Sequence, residues 1–415
     1  MDKRYFPIQT ETSCRLKWSW STIYLTDGTS ASCHRSSFGF LDENNFNNFH
    51  NLPVKLEARQ QMLDSQWPEG GCDYCKNIED SGGFSDRNFQ NSIPNVYPQE
   101  LDTNQNLLEV DPVVLEIFFN NTCNLSCIYC TEKFSSTIKK ENQKFGGPIL
   151  IEDRDTFDET KYEKLSPLLW KWLEKKFYKL QRIHILGGEP LIQQDFSRLV
   201  DFIEQHPNPK LEFNVVTNLI VKKQNLVNQI EKLKLLIDTN KIKRVDILCS
   251  VDSWGPEQEY VRTGFNCEQF DENFKYLAQF KWIRLGLLST VNSLSIQSMP
   301  LLAEKFQDWS KINEIFWYMH FVLPFERHVL TPMAFDYSQW ETALEKVNSS
   351  LVGDTFDINS TKQTLNGIIT RLKNSQPSSI MQKQLVDYLN KIDQRRNTNW
   401  QETFPWLTGA LDNVV

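Results

Sequence analysis

The stretch "VVLEIFFNNTCNLSCIYC", residues 113–130, places three cysteines directly after an apolar run. The run "VVLEIFF" is rich in β-branched and aromatic residues, and this pattern predicts a strand. Cys123, Cys127 and Cys130 follow with the spacing C-x3-C-x2-C. Thiolates bind soft metals, for which zinc and iron-sulfur clusters are the candidates. Zinc sites close four ligands, whereas three thiolates leave one iron of a [4Fe-4S] cluster open. A zinc knuckle and three unrelated buried thiols are the alternatives.

The composition is that of an ordinary soluble globular protein. A length of 415 residues exceeds the usual size of one core, so we expect two or three cooperating units. The net charge of -8 argues against a surface that neutralises phosphates, and hence against nucleic acid as a partner. The N-terminal residues lack a signal-peptide core and no long apolar run is present, which predicts a cytoplasmic protein without a membrane partner. In a reducing compartment the nine cysteines favour metal or cofactor chemistry over disulfides.

From Val113 onward, short β-branched or aromatic runs alternate with longer amphipathic stretches. This alternation predicts an α/β fold whose parallel strands are joined by crossovers. The predicted strands are residues 113–119, 182–186, 211–217, 244–251, 283–291 and 314–322. Six repeats predict a partial (β/α)6 TIM-like barrel over residues 111–333. A cysteine-rich domain is expected over residues 1–110, and a helical region over residues 334–415.

The cysteine spacing after a first barrel strand, with Tyr129 just before the last cysteine, strongly resembles the radical S-adenosylmethionine (SAM) superfamily. The resemblance implies that Cys123, Cys127 and Cys130 hold a [4Fe-4S] cluster whose open iron binds the amine and carboxylate of S-adenosylmethionine. One electron then cleaves the sulfonium to methionine and a 5'-deoxyadenosyl radical, which abstracts a substrate hydrogen. The barrel positions this cofactor and excludes water.

The segment "GGEP" follows the second predicted strand, where the superfamily has a similar motif. It consists of Gly187, Gly188, Glu189 and Pro190. Glycines let the backbone approach a ligand, and the resemblance implies that the Glu189 carboxylate takes the cofactor's ammonium group. An ordinary strand-to-helix turn is the alternative.

Other positions match superfamily positions that contact the cofactor. They are Ser250, matching a serine that reaches the cofactor, Arg262, matching an arginine that pairs with its carboxylate, Thr217 and Asn218 for the ribose region, and Val291 and Asn292 for the region near the adenine. Exposed arginines are commonly solvated charges, and polar strand ends commonly cap the next helix, so each assignment has a structural alternative.

Four further cysteines lie near the N-terminus, at Cys14, Cys33, Cys72 and Cys75. Their pattern, C-x13-G-x4-C followed by C-x2-C, resembles the twitch domain, a shortened SPASM domain of many radical SAM enzymes. The resemblance implies an auxiliary [4Fe-4S] cluster held by all four thiols. Here the unit precedes the barrel, whereas the better-known examples carry it afterwards. A structural zinc ribbon is the alternative.

The sequence leaves the substrate open. The extra domains and the polar segment 132–160, predicted to be a flexible cover, favour a peptide or protein substrate. Small-molecule oxidation or rearrangement is the second enzymatic hypothesis, and an iron-sulfur or zinc scaffold or electron carrier is the non-enzymatic one. A flavodoxin- or ferredoxin-type reductant is implied by the resemblance. Cys267, predicted in a polar loop, is a candidate hydrogen donor to a substrate radical.

Overall fold

The computed structural model describes residues 8–33, 39–80, 85–92, 107–150, 156–322 and 328–411. The chain divides into two compact units. The first comprises Met1–Asn121, Thr156–Val215 and Glu231–Arg244, and the second comprises Thr122–Asp155, Val216–Ile230 and Val245–Val415.

The strands predicted after Val113 are all present, each within one residue of its predicted ends. In chain order, strands β1 to β11 are Trp20–Tyr24, Thr29–Ala31, Gly39–Phe40, Val114–Phe118, Ser126–Cys127, Arg182–Leu186, Glu212–Thr217, Arg244–Ser250, Arg262–Thr263, Ile283–Val291 and Ile315–Phe321. Helices α1 to α16 are Leu16–Ser19, Pro53–Leu63, Asp73–Asp80, Asp86–Ser92, Ser136–Phe145, Glu159–Lys176, Gln194–Gln205, Lys223–Asp238, Pro256–Val261, Cys267–Ala278, Met299–Ser310, Glu341–Ser350, Phe356–Lys373, Ser379–Arg396, Trp400–Thr403 and Pro405–Leu411.

In the first unit, strands are hydrogen-bonded in the order β7-β6-β4-β1-β2-β3. The strands β7, β6, β4 and β1 are parallel, while β2 and β3 are antiparallel additions. Helices α6 and α7 precede β6 and β7 along the chain, as parallel pairing requires. The N-terminal region therefore adds three strands beside β4, which the sequence analysis did not predict.

One face of this sheet is apolar and covered by helices. Because residues alternate between the two faces of a strand, one cross-strand row contains Ile23, Ile117, Ile185 and Val215, all fully buried. On the same face, the ring of Phe213 lies 5.8 Å from that of Phe196 on α7. This burial of apolar surface is the main force that holds the helix on the sheet.

In the second unit, β8, β10 and β11 are parallel neighbours, and α10 and α11 intervene along the chain. Trp309 of α11 is fully buried with its ring 4.4 Å from that of Phe274 on α10. Its indole N–H donates to Asp271 at 2.8 Å, so the buried donor is satisfied. Both units thus have an α/β architecture dominated by parallel strands, which is consistent with the predicted partial barrel.

The helical pattern predicted after residue 333 is confirmed by α12 to α16. The hydroxyl of Thr361 on α13 donates to the carbonyl of Trp317 on β11 at 2.8 Å. Tyr260 on α9 donates to Asp393 on α14 at 2.8 Å, and its ring packs against that of Phe404. These contacts attach the helical region to the sheet and helices of its own unit.

Two local predictions were wrong. Cys267 begins α10 rather than lying in a loop, because the side chain of Asn266 caps the helix by accepting from Gln269 N–H at 2.7 Å. Within the polar segment 132–160, residues Ser136–Phe145 form helix α5, capped by Ser135 and ended by Gly146 at φ +79°. Residues 151–155 of that segment lie outside the described residues.

None of the described helices combines the length and the apolar character needed to cross a lipid bilayer.

Candidate functional site

The three cysteines after β4 lie in a tightly hydrogen-bonded loop of the second unit. Cys127 is buried, and Cys123 and Cys130 are half-buried. The N–H of Cys130 donates to the carbonyl of Cys127 at 3.0 Å, and the N–H of Leu125 points at the Cys123 sulfur at 3.5 Å. The hydroxyl of Ser136 accepts from the N–H of Cys123 at 3.2 Å, which ties the loop to α5. Backbone donors near a thiolate sulfur are typical of iron-sulfur sites.

The thiols of this loop lie within electrostatic range of one another. Desolvation, and then the neighbouring Cys127 and Cys123 thiolates, raise the pKa of Cys130 well above its ordinary range. Burial also raises the pKa of Cys127, against the opposing charge of Arg262. Three neighbouring thiols lose their protons together more readily when a positive charge is bound between them. The iron of a cluster would supply this charge. The donor set therefore fits a [4Fe-4S] cluster.

In the described part of the chain, no three His, Cys, Asp or Glu side chains converge on the position of one metal ion. Ligands of a cluster bind different iron atoms, so they do not converge in this way.

Asp252, at the end of β8, joins the cysteine loop to two strands of its unit. Its fully buried carboxylate accepts from the hydroxyl of Tyr129 at 2.6 Å and from Nε and Nη2 of Arg262 at 2.9 and 2.8 Å. The N–H of Thr290 on β10 donates to it at 2.8 Å. Burial lowers the pKa of the Arg262 guanidinium, but Asp252, Tyr129 and Cys127 together hold that pKa well above its usual range. Arg262 is thus a buried, paired residue and not a solvated charge.

Asp252 had no role in the sequence prediction. A buried acid at a strand end, followed within ten residues by an arginine, is the signal that was available. Because these residues form a bidentate pair, they fix the position of Tyr129 and therefore of the loop between Cys127 and Cys130.

Arg396, on the C-terminal helix α14, also holds the loop. Its Nη1 donates to the carbonyl of Ser126 at 2.7 Å and to the hydroxyl of Thr263 at 3.0 Å, so it bridges β5 and β9. Glu141 on α5 pairs with the same guanidinium at 3.0 Å. Tyr388 on α14 donates to the carbonyl of Ile128. Nothing in the local sequence indicates these contacts, because they join residues distant along the chain.

Thr217 and Asn218 lie at the end of β7. The hydroxyl of Thr217 accepts from Leu219 N–H at 2.9 Å. Asn218 donates to the side chain of Asn124 at 3.0 Å and lies 3.9 Å from the sulfur of Cys123. The structure therefore brings Asn218 to the cysteine loop, while Thr217 closes a local turn.

Ser250, Val291 and Asn292 end the strands β8 and β10 or follow them, and all three are buried. Asn292 accepts from Leu294 N–H at 3.0 Å and donates to the carbonyl of Thr290 at 2.9 Å. These bonds form a local turn, while Ser295 precedes the next 3-10 helix as its N-cap residue. The predicted cofactor contacts of the three residues remain predictions.

The "GGEP" segment belongs to the first unit and forms a turn after β6. Gly187 and Gly188 have φ of +83° and +57°. A Cβ atom on Gly187 would lie 2.7 Å from the Phe118 ring, so the chain requires glycine there. Glu189 is fully buried, and one carboxylate oxygen accepts from Leu191 N–H at 3.0 Å, which starts the 3-10 helix Pro190–Ile192. The segment thus forms a turn between a strand and a 3-10 helix, and the cofactor contact remains a prediction.

A row of polar side chains crosses the second face of the first unit's sheet. In register from β1 to β7, it contains Thr22, Glu116, His184 and Asn214. Thr22 donates to Glu116 at 3.0 Å, and Nδ1 of His184 lies 3.1 Å from the other carboxylate oxygen. Among the described residues Oδ1 of Asn214 has no hydrogen-bond partner, although the residue is only 1% exposed. A buried acceptor without a donor is costly unless a ligand or water satisfies it.

Comparison with known protein families gives a match to one model over part of the chain. Residues 117–295 match the model described as the radical SAM superfamily. The chain carries a radical SAM domain. Proteins with this domain bind S-adenosylmethionine and are enzymes. This protein is therefore an enzyme. A comparison with curated protein sequences found no match.

Several solved structures resemble the radical SAM chain. Streptococcus suis SuiB bound to S-adenosylmethionine has 16% identity and a TM-score of 0.37, covering 79% of this chain and 67% of its own. SuiB bound to the precursor peptide SuiA has 15% identity and a TM-score of 0.33, covering 92% and 72%. The anSMEcpe protein with bound AdoMet has 16% identity and a TM-score of 0.35, covering 58% and 59%.

The four N-terminal cysteines precede the radical SAM domain, and the structure brings them near one another. Cys14 is in a buried apolar cluster against which Cys72 packs. Burial raises the pKa of Cys14 to about 12, and the Cys33 and Cys72 thiolates add to this effect. Arg87 donates to the carbonyl of Ser13 at 3.0 Å, and burial raises the pKa of the Cys75 thiol while the nearby backbone of Arg87 opposes this rise. The donor set fits a four-thiolate centre.

Cys267, the candidate hydrogen donor, is half-buried at the start of α10. Its N–H donates to the carboxylate of Glu259 at 3.0 Å, and its sulfur lies 3.8 Å from the carbonyl of Gly255. Burial raises the pKa of the thiol to about 11, so the S–H form predominates at neutral pH. A thiol that donates a hydrogen atom must carry its S–H hydrogen. The role of Cys267 as a hydrogen donor remains a prediction.

Proposed function

We propose that this radical SAM enzyme binds a [4Fe-4S] cluster at Cys123, Cys127 and Cys130 and modifies a peptide or protein residue by hydrogen abstraction. The three thiols of the cysteine loop carry the proposal, because they lie within electrostatic range of one another and their combined negative charge when ionised favours a bound cationic cluster. When bound and reduced, the cluster with S-adenosylmethionine supplies a 5'-deoxyadenosyl radical. The proposed compartment is the cytoplasm, and the proposed electron source is a flavodoxin or ferredoxin.

The residues around the loop have separate proposed tasks. Asp252 orients Tyr129 and Arg262, and Asn218 donates toward the Cys123 sulfur, where a negative charge resides once the thiol is ionised. Arg262 already uses Nε and Nη2 for Asp252, so a contact to the methionyl carboxylate would use Nη1. Glu189 and the glycines before it are the proposed site for the cofactor's ammonium group.

The polar row of β1, β4, β6 and β7 supports a substrate that hydrogen-bonds. Glu116 and the orphan Oδ1 of Asn214 are acceptors, so the row suits a substrate with N–H or O–H donors. A peptide offers such donors in its backbone. A polar small molecule does so too, and it is the second candidate substrate class.

The chemistry is tested on anaerobically reconstituted protein. We expect about eight irons per chain for two clusters, and release of 5'-deoxyadenosine after reduction with dithionite and addition of S-adenosylmethionine. Cys127→Ala should abolish this product, whereas Cys249→Ala, at a buried strand position outside the cysteine loop, should retain it. Undiminished product from Cys127→Ala would contradict the ligand assignment.

The substrate class is tested with a cell extract separated by size. We expect the peptide fraction to stimulate 5'-deoxyadenosine release and protease treatment to remove the stimulation. Stimulation only by the protease-resistant small-molecule fraction would refute the peptide proposal and favour the second candidate.

A further inference from the structure

Helix α2 of the first unit buries two cations that have only neutral partners. Lys55 and Arg59 are one turn apart, and they are 3% and 0% exposed. Nζ of Lys55 donates to the hydroxyls of Ser30 and Ser21 at 2.7 and 3.1 Å and to the carbonyl of Ala31 at 3.1 Å. None of these acceptors carries a charge, so among the described residues the ammonium group hydrogen-bonds no counter-ion.

The guanidinium of Arg59 is in the same situation. It donates to the carbonyls of Lys17 and His50 at 2.8 Å each, to that of Leu108, and to the side chain of Asn51 at 2.7 Å. In the described part of the chain, no carboxylate is hydrogen-bonded to Lys55 or Arg59. Burying a charge without a counter-charge is costly, whereas most buried cations are paired.

These cations hold the backbone next to the N-terminal cysteines. The carbonyl that Lys55 binds belongs to Ala31, two residues before Cys33, and the carbonyl that Arg59 binds belongs to Lys17, three residues after Cys14. Farther along the same face of α2, Met62 packs in the apolar cluster that contains Cys14. The cationic face of the helix is therefore adjacent to the cysteines.

Lys17 extends the cationic group to a thiol. It is 5% exposed and lines the same cleft as Lys55. Burial raises the pKa of the Cys72 thiol, and the charge of Lys17 opposes that rise. Burial and the charges of Arg59 and Lys17 hold the pKa of Lys55 well below its usual range, as expected where positive charges lack an anion.

We infer that Lys17, Lys55 and Arg59 are the counter-charge of a four-thiolate iron-sulfur cluster held by Cys14, Cys33, Cys72 and Cys75, and that they raise its reduction potential. This inference rests on the auxiliary cluster of the proposed function. Four thiolates and an oxidised [4Fe-4S] core carry a net charge of about -2, and reduction makes it more negative. Nearby fixed cations stabilise the reduced state more than the oxidised state, because its charge is larger.

The inference is tested on a variant that lacks the other cluster, with Cys123, Cys127 and Cys130 all replaced by alanine. In this background the iron content and the electron paramagnetic resonance (EPR) signal report the auxiliary cluster alone. Redox titration then compares Lys55→Met with Lys55→Arg, which keeps the charge, and with Lys171→Met, which removes an exposed lysine of α6.

We expect Lys55→Met to lower the fraction of reduced cluster about tenfold at a fixed potential, which is about 59 mV for a one-electron couple. Lys55→Arg and Lys171→Met should titrate like the background. Cluster loading should also raise the melting temperature less in Lys55→Met than in Lys55→Arg, because the cluster no longer neutralises a buried charge.

An unchanged potential in a fully loaded Lys55→Met variant would overturn the inference, as would zinc in place of iron. The competing counter-charge is an anion in the cleft that Lys17, Lys55 and Ser32 line together with the carboxylates Glu57 and Glu69. If phosphate raises the melting temperature of metal-free wild type but not of Lys55→Met, that anion is the counter-charge and the inference is wrong. Release of 5'-deoxyadenosine by the wild type is independent of these results, so the proposed function can stand if the inference fails.

Discussion

Arg262 donates two hydrogen bonds to the carboxylate of Asp252, at 2.9 and 2.8 Å, and both side chains are buried. Arg262 pairs with Cys127 in the β5-β9 ladder, and Asp252 accepts from Tyr129. The pair thus joins the strand ends of the second unit to the cysteine loop on both sides of Ile128. Asp252 is therefore one of the side chains that hold the cysteine loop in place.

Replacing Asp252 by asparagine should leave the Arg262 charge buried without its counter-ion. Removing one partner of a buried ion pair costs roughly 3–5 kcal/mol. We therefore expect a decrease of this size in the free energy of unfolding of Asp252→Asn, measured by urea denaturation, with a lower iron content after reconstitution.

Asp308→Asn is the matched control, because Asp308 forms an exposed pair with Lys311 and its replacement should leave the unfolding free energy close to that of the wild type. Adding Arg262→Met to Asp252→Asn should recover part of the lost stability. Wild-type stability of the single Asp252→Asn variant would show that the pair does not hold the loop.

Arg396 provides a second test of how the loop is held. Arg396→Gln removes the charged donor to Ser126, Thr263 and Glu141, and hydrogen bonds to charged groups contribute about 1.5–3 kcal/mol each. We expect a loss of stability of at least that order, together with reduced iron incorporation at the three-cysteine site. Lys391→Gln, at an exposed position on the same helix, should behave as wild type. Equal iron content in both variants would argue against a positioning role.

The glycine turn after β6 gives a steric prediction. Gly187→Ala places a methyl group 2.7 Å from the Phe118 ring at φ +83°, and left-handed backbone plus overpacking should cost roughly 2–4 kcal/mol of unfolding free energy. Gly367→Ala is the control, because its Cβ meets nothing within 4 Å inside α13. Helix propensity should make that variant about 0.5–1 kcal/mol more stable. A destabilisation of equal size in both would refute the steric argument.

Much of the fold follows from the sequence, because each barrel strand is a run of β-branched or aromatic residues between amphipathic helices. The strands β4, β6, β7, β8, β10 and β11 were predicted on this basis and are confirmed. The strands β1 to β3 were not, since they are short and lie among turn residues. Their place beside β4 depends on tertiary pairing.

The residues of the candidate site could be predicted where their roles depend on spacing along the sequence. They could not be predicted where the contacts join residues that are distant along the chain. The spacing of Cys123, Cys127 and Cys130 follows from the ligands that a cluster requires. The contacts of Arg396 with Ser126 cross most of the chain, so no local pattern encodes them. The start of α10 at Cys267 depends on the Asn266 cap, a short-range signal that the sequence contained.

His328 gives the pH dependence of stability. Its buried Nδ1 accepts from Leu330 N–H at 3.0 Å, and burial lowers the pKa of the imidazole from 6.5 to about 4. The unfolded chain binds the proton more readily, so stability is full above pH 6.5 and falls as the pH decreases toward 4, by up to about 3 kcal/mol. His328→Asn keeps an acceptor but cannot titrate. Urea denaturation of metal-free protein between pH 7 and 5 should show a smaller slope for this variant, and parallel slopes would contradict the assignment.

The most direct measurement is the EPR spectrum of the reduced protein before and after addition of S-adenosylmethionine, in a Cys72→Ala/Cys75→Ala variant that removes the auxiliary signal. A cluster with an iron that no protein thiol ligates should change its g values when the methionyl group binds to that iron. Superimposable spectra at saturating S-adenosylmethionine would contradict the assignment of Cys123, Cys127 and Cys130 to an open cluster.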